Sequence, residues 1–441
     1  MKKYSAREAA LAALEKCRRD GAWSGAAIDA IIKKAALDER EAALASRLSL
    51  GVLQNSSLLD FYIGSFCTQD ARRLEPKLRD ILRMGVYQLV FLDKIPARAA
   101  VNESVALCKG AGLSRAAGLA NAVLRRVSEN ISALPAVPNE GTAEHLSIKY
   151  SHPLWLVSRL VDERGYDFAE GFLCACNTPP ALTIQVNTLK VSVEEYARAL
   201  ARRDIEFTLC PYPRGCIELR GGNVAALPGY EEGLFFVQDR AARMAMELSG
   251  ACAGMRVLDA CSAPGGKAFS AAVAMNDRGS ILACDIHEKK LRLISSGAER
   301  LGIGIIETAL KSAKEYDAAL DGAFDLVIAD VPCSGIGVIR KKPEIRAKTQ
   351  AEIAPLPALQ LDILSNLARY VRPRGTLVYS TCTVLKDENE AVVKSFLERY
   401  NNFAAEAFTL GGEHLPTGQK TFWPNVDGTD GFFAARLIRK E

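Results

Sequence analysis

The stretch MRVLDACSAPGGKAFSAAVAM, residues 255–275, decides the fold. Met255 to Asp259 form a short apolar run typical of a buried strand, and the closing KAFSAAVAM has the spacing of a helix. The turn between them, CSAPGGKA, is rich in glycine, so a ligand can approach backbone N–H groups at the start of the helix. We therefore predict that this strand, turn and helix open a ligand-binding α/β sheet.

Three kinds of ligand loop occur at such a turn. A Walker A loop needs a glycine where Cys261 stands and a serine or threonine where Ala268 stands. A dinucleotide fingerprint needs G-x-G-x-x-G, a spacing that this turn lacks. The remaining interpretation is a loop for a ligand with an adenosine group but no phosphate chain, which S-adenosylmethionine fits better than NAD.

Further apolar runs follow and alternate with helical stretches. The runs are SILACDI, FDLVIAD and GTLVYST, and helical segments such as HEKKLRLISSGAERLG lie between them. Continuous apolar strands that alternate with helices predict a mostly parallel sheet covered on both faces. We assign residues 251–441 to a Rossmann-like α/β domain, with GFFAARLIRK as a final edge strand.

The chain before this domain divides into two regions. Residues 1–135 carry apolar positions at three- and four-residue spacing, which predicts an all-helical domain. Residues 136–250 begin with a proline-containing linker and then mix strand and helix patterns, which predicts a small α/β connector. At 441 residues, the chain is expected to be a multidomain protein.

Composition limits the functional classes. Hydrophobic residues make up 49% and charged residues 24%, as in soluble globular proteins, and no apolar run reaches transmembrane length, so we expect a cytoplasmic protein without a membrane partner. The 12 cysteines and four histidines show no zinc-ligand spacing, so we expect no metal. Residues 1–135 hold 21 basic and 14 acidic side chains, which indicates a surface for nucleic acid or a solvated charged face.

Polar and thiol side chains stand at the ends of the later strands. Asp285 ends the second run, where an acidic side chain binds a ribose hydroxyl or caps a helix. Cys333 and Cys382 follow the next runs, with Asp330 three residues before the first thiol. A lone cysteine there would more often be packing, but two thiols, a carboxyl group and a methyl donor suit methylation of a pyrimidine at C5. A thiolate added at C6 makes C5 nucleophilic, and an acid at N3 supports the developing charge.

The order and spacing of these motifs resemble those of a known family. LDACSAPGGK, ACDI, ADVPCSGIGVIRKKPEI, LVYSTCTVLKDENE and DGTDGFFAARL are similar to the successive motifs of the Sun family of RNA cytosine-C5 methyltransferases, in its bacterial RsmB-type branch. The helical N-terminal region is similar to the NusB-like RNA-binding domain of that branch. The resemblance implies an all-α NusB-like domain, a small RRM-like α/β connector and a class I S-adenosylmethionine-dependent methyltransferase domain.

The resemblance also implies roles for individual residues. Cys382 would attack the base, Cys333 would assist release of the methylated product, and Asp330 would hold the cytosine N3 edge, although motif shape alone would favour Cys333 as the nucleophile. The residues that bind S-adenosylmethionine would be Asp285, Lys311, Asp330 and the donor loop, namely Cys261, Ser262, Ala263, Pro264, Gly265, Gly266 and Lys267.

One position departs from the family pattern. The family usually places an acidic residue near the adenine of the donor, and that place falls on Lys311. A lysine cannot accept a hydrogen bond from an adenine amine. Either the third strand is shifted, or this protein binds its donor with less help and therefore more weakly.

The expected activity is C5 methylation of one cytosine in small-subunit (16S) ribosomal RNA by a monomeric protein. The same chemistry on transfer RNA or large-subunit (23S) RNA stays open, as does a non-catalytic RNA-binding or antitermination factor. The basic run Arg340, Lys341 and Lys342 after the Pro-Cys motif would steer an RNA backbone, or it is a solvated loop.

Overall fold

A computed structural model describes residues 4–21, 23–67 and 70–441. By their contacts, the described residues form two compact units. The first comprises the chain up to Thr178 together with Ile339–Gln350, and the second comprises Pro179–Val338 together with Ala351–Glu441.

The first unit is helical, as the sequence predicted. Helix α1 begins after Ser5, whose hydroxyl accepts the backbone N–H of Glu8 while the Glu8 carboxylate accepts that of Ser5. Leu48, Ile81 and Leu124 lie in a hydrophobic core shared by several helices. The helices are α1 Ala6–Asp20, α2 Ser24–Ala35, α3 Glu39–Gln54, α4 Ser56–Phe66, α5 Pro76–Phe91, α6 Ala97–Gly110, α7 Ala117–Glu129, α8 Ala143–Lys149, α9 Leu154–Arg164 and α10 Tyr166–Ala175.

Helices α8 to α10 belong to this first unit, whereas the sequence analysis grouped them with the connector. Helix α8 packs on α4 and α9, and α9 packs on α10. Their apolar stripes predicted helices but not the neighbours against which those stripes are buried. The domain boundaries at residues 135 and 250 stay predictions.

The second unit starts with a small antiparallel sheet. Its strands are β1 Leu182–Val186, β2 Phe207–Leu209, β3 Cys216–Leu219 and β4 Phe235–Val237, in the order β2-β3-β1-β4. Helix α11, Val193–Ala201, buries Tyr196 and Leu200 in the core that also contains Ile184 and Phe235. The small α/β connector predicted from the sequence is confirmed.

The larger sheet follows. Its strands are β5 Arg256–Asp259, β6 Ser280–Asp285, β7 Ile306–Leu310, β8 Phe324–Asp330, β9 Val371–Thr381, β10 Phe403–Ala405, β13 Gln419–Phe422 and β14 Phe432–Arg439, and β11 Phe408–Leu410 pairs separately with β12 Glu413–Leu415. The order is β10-β14-β9-β8-β5-β6-β7, and strands β5 to β9 are parallel. The remaining helices are α12 Arg240–Glu247, α13 Gly266–Ala274, α14 Glu288–Leu301, α15 Gln350–Ile353, α16 Leu356–Leu367, α17 Glu390–Arg399 and α18 Pro424–Asp427.

Both faces of the sheet are covered, as predicted. Along β8, Leu326 and Ile328 lie in a core shared with α13 and α14, while Val327 and Ala329 lie in a core shared with α16 and α17. This alternation explains why the strand reads as a continuous apolar run. The mostly parallel Rossmann-like sheet is therefore confirmed.

The prediction that the last apolar run forms an edge strand is wrong. Strand β14 lies between β9 and β10 and pairs antiparallel with both. Phe433 and Leu437 pack into one core, and Phe432 and Ala434 pack into another. A strand that is apolar on both faces is stable in the interior of a sheet, and the periodicity does not show which strand lies beside it.

The strand order places a ligand-binding crevice. From β5 the chain first adds strands on one side, β6 and β7, and then crosses to the other side of β5 to add β8 and β9. The strand order therefore changes direction at β5, although the strands stay parallel. In open parallel sheets, ligands bind beyond the carboxyl ends of the strands at such a reversal. Asp285, Asp330 and Cys382 stand at or just after the ends of β6, β8 and β9, and the donor loop follows β5.

Candidate functional site

The donor loop makes a tight turn between β5 and α13. The backbone N–H of Ser262 donates to the backbone carbonyl of Cys284 at 2.8 Å, and the backbone N–H of Gly265 donates to the backbone carbonyl of Ser262 at 2.7 Å. Gly265 has a φ of +110°, and a Cβ there would lie 2.6 Å from the Phe269 ring, so only glycine fits. Helix α13 then begins at Gly266 and presents its first N–H groups to the crevice.

Asp259, which the sequence analysis did not single out, lies buried beside this loop. Within the described residues, neither its carboxylate oxygens nor the Ser262 hydroxyl makes a well-formed hydrogen bond. Burial raises the pKa of Asp259 to about 7, although Ser262 and the charge of Lys267 act in the opposite direction. Asp259 is thus a buried carboxyl group that lies directly beneath the donor loop. Its position at the end of an apolar strand was the signal available in the sequence.

Asp285 lies at the carboxyl end of β6, close to the start of α14. It ends β6 with 8% of its surface exposed, and its Oδ1 accepts the backbone N–H of His287 at 2.9 Å, just before α14. The helix itself begins after His287 without a side-chain cap, so Asp285 does not cap it, and the ribose contact stays a prediction.

Lys311 follows the third strand of the parallel sheet directly. Strand β7 ends at Leu310, and the backbone N–H of Lys311 donates to the Asp285 carbonyl at 3.2 Å. Lys311 therefore stands directly at the carboxyl end of this strand, and both explanations of the missing acidic residue stay predictions. The Lys311 ammonium binds the Asp317 carboxylate, a hydrogen bond that raises the pKa of Lys311. The side chain at this position is a paired cation rather than a hydrogen-bond acceptor.

Lys267 and Asp330 link the donor loop to the Pro-Cys motif. Lys267 Nζ donates to Asp330 Oδ2 at 2.7 Å and lies 5.1 Å from the centroid of the Phe432 ring. The Ser380 hydroxyl donates to the other oxygen, Oδ1, at 2.8 Å. Burial lowers the pKa of Lys267, but the negative charge and hydrogen bond of Asp330, together with the charge of Asp259, raise it overall. Lys267 therefore stays charged and fixes the carboxylate of Asp330.

The structure brings the two thiols together. The sulfur atoms of Cys333 and Cys382 lie 3.2 Å apart, and both side chains are half-buried. The hydrogen bond with Cys382, followed by burial and the charges of Glu388 and Asp330, raises the pKa of Cys333. Cys333 is therefore held as a thiol that can donate to the sulfur of Cys382. The different roles of the two cysteines stay predictions.

The basic run after the Pro-Cys motif lies in the segment that groups with the helical unit. Lys342 Nζ lies 4.7 Å from the centroid of the Trp23 ring. Lys342 therefore makes a cation–π contact while its side chain is exposed, and the steering of RNA by this run stays a prediction.

The described residues contain neither a metal site nor a membrane-spanning helix. In residues 4–21, 23–67 and 70–441, no group of three or more histidine, cysteine, aspartate or glutamate side chains has the arrangement of a metal site. None of the helices in those same ranges is long and apolar enough to cross a membrane.

Three parts of the chain match known protein families. Residues 251–438 match the family described as 16S rRNA methyltransferase RsmB/F, and residues 4–129 match the NusB family. Residues 152–225 match the ferredoxin-like domain of RsmF/B-like methyltransferases. The matches therefore fall in the helical region, the connector and the larger sheet.

Similar proteins span the whole chain. A probable ribosomal RNA small subunit methyltransferase B from Bacillus subtilis is 33% identical over 451 aligned positions, which cover 100% of both chains. Ribosomal RNA small subunit methyltransferase B of Photorhabdus laumondii is 31% identical over 92% of each chain. The crystal structure of PH0851 superimposes with a TM-score of 0.83 at 26% identity over all of both chains. A methyltransferase homologue from Pyrococcus horikoshii gives a TM-score of 0.59 at 25% identity over 67% of this chain and 97% of its own.

Proposed function

Because the chain belongs to the RsmB/F family of 16S rRNA methyltransferases, we propose that it methylates C5 of one cytosine in small-subunit ribosomal RNA through a covalent adduct between Cys382 and C6. The observation that carries this proposal is the pair of thiols 3.2 Å apart at the ends of neighbouring strands, with Asp330 beside them. Family membership also argues against the non-catalytic RNA-binding factor that the sequence left open.

Cys382 would begin the reaction. C5 of cytosine is a poor nucleophile. Cys382 gives its thiol proton to water, and addition of the resulting soft thiolate at C6 moves electron density to C5 while N3 takes up a proton from water. Asp330, held by Lys267 and Ser380, would bind the N3 edge and stabilise the protonated nitrogen. The carboxylate is already oriented before the base enters, so no reorganisation is needed during attack.

The donor would lie in the crevice formed by the loop after β5. Bound S-adenosylmethionine would supply an electrophilic methyl group. The first N–H groups of α13 would hold its polar groups, and Asp285 would bind its ribose. Gly265 keeps the backbone close to the ligand because any side chain there would meet Phe269.

Cys333 would assist the last step. The C5 proton leaves to water, the electrons of that bond restore the C5–C6 double bond, and the C6–S bond breaks with its electron pair on Cys382. N3 then returns its proton to water, which leaves neutral 5-methylcytosine. The raised pKa of Cys333, caused by Cys382 and by burial, keeps its proton in place, so its S–H can stabilise the departing thiolate. A thiol donor at 3.2 Å therefore favours release of the methylated base.

Charge in the helical unit supports RNA as the partner. Six basic residues and one acidic residue lie between positions 94 and 126, and within the described part of the chain none of the six forms an ion pair; they are Lys94, Arg98, Lys109, Arg115, Arg125 and Arg126. Basic side chains elsewhere in the same unit, such as Arg18 and Lys77, pair with carboxylates. Helices α6 and α7 line a groove of about 400 Å³ that contains Arg98, Asn102, Asn121 and Arg125 together with one acidic residue, Glu129. Guanidinium and amide groups of this kind bind phosphates and ribose hydroxyls.

Methyl transfer from labelled S-adenosylmethionine to ribosomal RNA tests the proposal. Cys382→Ala is expected to abolish transfer, and Cys333→Ala is expected to accumulate a protein–RNA adduct that survives denaturation. An adduct formed by the Cys382 variant and not by the Cys333 variant would reverse the two roles. Bisulfite sequencing of RNA from cells that lack the protein identifies the RNA and the cytosine together. The cytoplasmic location and the monomeric state stay predictions.

A further inference from the structure

A glutamine and a glutamate hold the two peptide groups that flank Cys333. The Nε2 of Gln360, on α16, donates to the Pro332 carbonyl at 3.0 Å and to Glu388 Oε2 at 2.9 Å. The same carboxylate oxygen accepts the backbone N–H of Ser334 at 2.8 Å. The peptide groups before and after Cys333 are therefore bound to one connected pair of side chains, which we call the Gln360–Glu388 clamp.

The clamp buries polar groups at a cost in folding free energy that simple packing would not require. Both side chains are completely buried, and Glu388 Oε1 has no hydrogen-bond partner within the described residues. Burying a carboxylate without a cationic partner costs free energy, and apolar side chains of similar volume usually pack there with no such cost. Buried polar groups that lower stability in this way are found mostly at functional sites. A buried glutamate beside the Pro-Cys motif therefore indicates a role in fixing that motif.

The clamp is also bound to the strand that carries Cys382. The Tyr379 hydroxyl, three residues before Cys382 on β9, donates to the Glu388 carbonyl at 2.6 Å. The Ser334 hydroxyl donates to Thr383 Oγ1 at 2.8 Å, immediately after Cys382. These two bonds use the backbone carbonyl of Glu388 and the hydroxyl of Ser334, so they stay in place when the clamp side chains are replaced, and Cys382 keeps its position.

We propose that Glu388 and Gln360 are positioning residues for product release, because they hold the backbone around Cys333 so that its thiol stays opposite Cys382. The inference rests on the proposed division of labour between the two cysteines. Neither side chain touches the reacting base in this proposal, and both act through the peptide groups of Pro332 and Ser334.

Shape-matched variants separate hydrogen bonding from packing. Glu388→Gln keeps an oxygen that accepts from Ser334 and Gln360, whereas Glu388→Met and Gln360→Met fill similar volume without those bonds. Glu390→Gln is the control, since the Glu390 carboxylate lies two residues away and binds Thr421 instead. Adduct is measured on denaturing gels, methyl transfer in a single turnover, and folding by thermal unfolding and donor binding.

The two methionine variants are expected to accumulate the RNA adduct, with release slowed roughly tenfold, the factor that corresponds to one net hydrogen bond. Single-turnover methyl transfer should stay close to that of the wild type, and Glu388→Gln and Glu390→Gln should release product normally. A merely structural role would instead lower thermal stability, donor binding and methyl transfer together, without trapped adduct.

The proposal is overturned if Gln360→Met or Glu388→Met folds, binds donor and releases RNA at the wild-type rate while Cys333→Ala traps the adduct. If one methionine variant does not fold, the other decides the matter, and loss of folding in both contradicts a positioning role that is separable from stability. If Cys333→Ala itself traps no adduct, the proposed roles of the two cysteines are wrong. Comparison of the wild type with Cys333→Ala on the same denaturing gel shows this outcome without reference to the clamp variants.

Discussion

The ammonium of Lys267 lies 2.7 Å from the carboxylate of Asp330, so that the donor loop and the Pro-Cys motif share an ion pair. The side chain of Lys267 is 11% exposed and that of Asp330 30%. The pair belongs to two motifs that lie 63 residues apart in the chain. It couples the loop proposed to bind the donor to the carboxylate proposed to hold the base.

Removing this lysine should impair the reaction more than it impairs folding. Lys267→Met leaves a partly buried carboxylate with Ser380 as its remaining partner in this network, which should cost about 1–3 kcal/mol of stability. We expect the rate of methyl transfer to fall by about a hundredfold, since one misoriented charged group commonly has that effect. Lys267→Arg, which keeps the charge, should retain part of the rate, and an unchanged rate in Lys267→Met would contradict this role.

Asp259 should make stability depend on pH. Burial raises the pKa of Asp259 to about 7 from the ordinary value of 3.8, so between roughly pH 4 and 7 the folded protein binds more protons there than the unfolded chain. The stability contributed by the protonated side chain is therefore present below this window and lost as pH rises through it, by up to about 1.4 kcal/mol per pH unit.

Asp259→Asn removes the dependence, so the melting temperature of the wild type should fall relative to that of the variant between pH 5 and 7. Asp204→Asn, at an exposed aspartate, is the control. A constant difference between wild type and Asp259→Asn across this range would contradict the prediction.

The sequence predicted the parts of the site that depend on strand ends. Cys333 and Cys382 follow β8 and β9, which are neighbouring parallel strands, and the ends of such strands meet at one edge. Asp259 was missed because its unusual carboxyl group results from burial, which is a property of the assembled core. Gln360 and Glu388 were missed because they meet only when α16 packs beside β8, a contact that helical periodicity does not specify.

Lys311 should make the affinity for the donor weaker than an acidic residue at this position would. Because Lys311 is paired with Asp317, the test has to change both residues. Lys311→Asp alone would place two carboxylates together, so its gain would be partly cancelled by repulsion. The double variant Lys311→Asp, Asp317→Asn keeps one acceptor for the adenine amine without that repulsion. We expect it to bind S-adenosylmethionine about three- to tenfold more tightly in calorimetric titration, as one net hydrogen bond allows. Lys311→Met with Asp317→Asn removes the pair without adding an acceptor and is the control. Equal or weaker donor binding by the first double variant would show that the missing acid costs nothing here.

The groove between α6 and α7 should set the affinity for RNA. Replacing Arg98 and Arg125 by glutamine removes two charge-assisted contacts to phosphates, which should weaken RNA binding by roughly one to two orders of magnitude. Two lost phosphate contacts should also reduce the slope of log affinity against log salt concentration by about 1.4 to 1.8, depending on whether the bound RNA is single-stranded or duplex.

The matched control is Lys33→Gln with Lys34→Gln, since these residues are exposed at the end of α2 in the same unit and the substitution removes the same charge. Fluorescence anisotropy over a salt series measures both quantities, and donor binding confirms that the variants are folded. An equal loss of affinity in both double variants would indicate a general effect of net charge, and the groove would then have no special part in binding RNA.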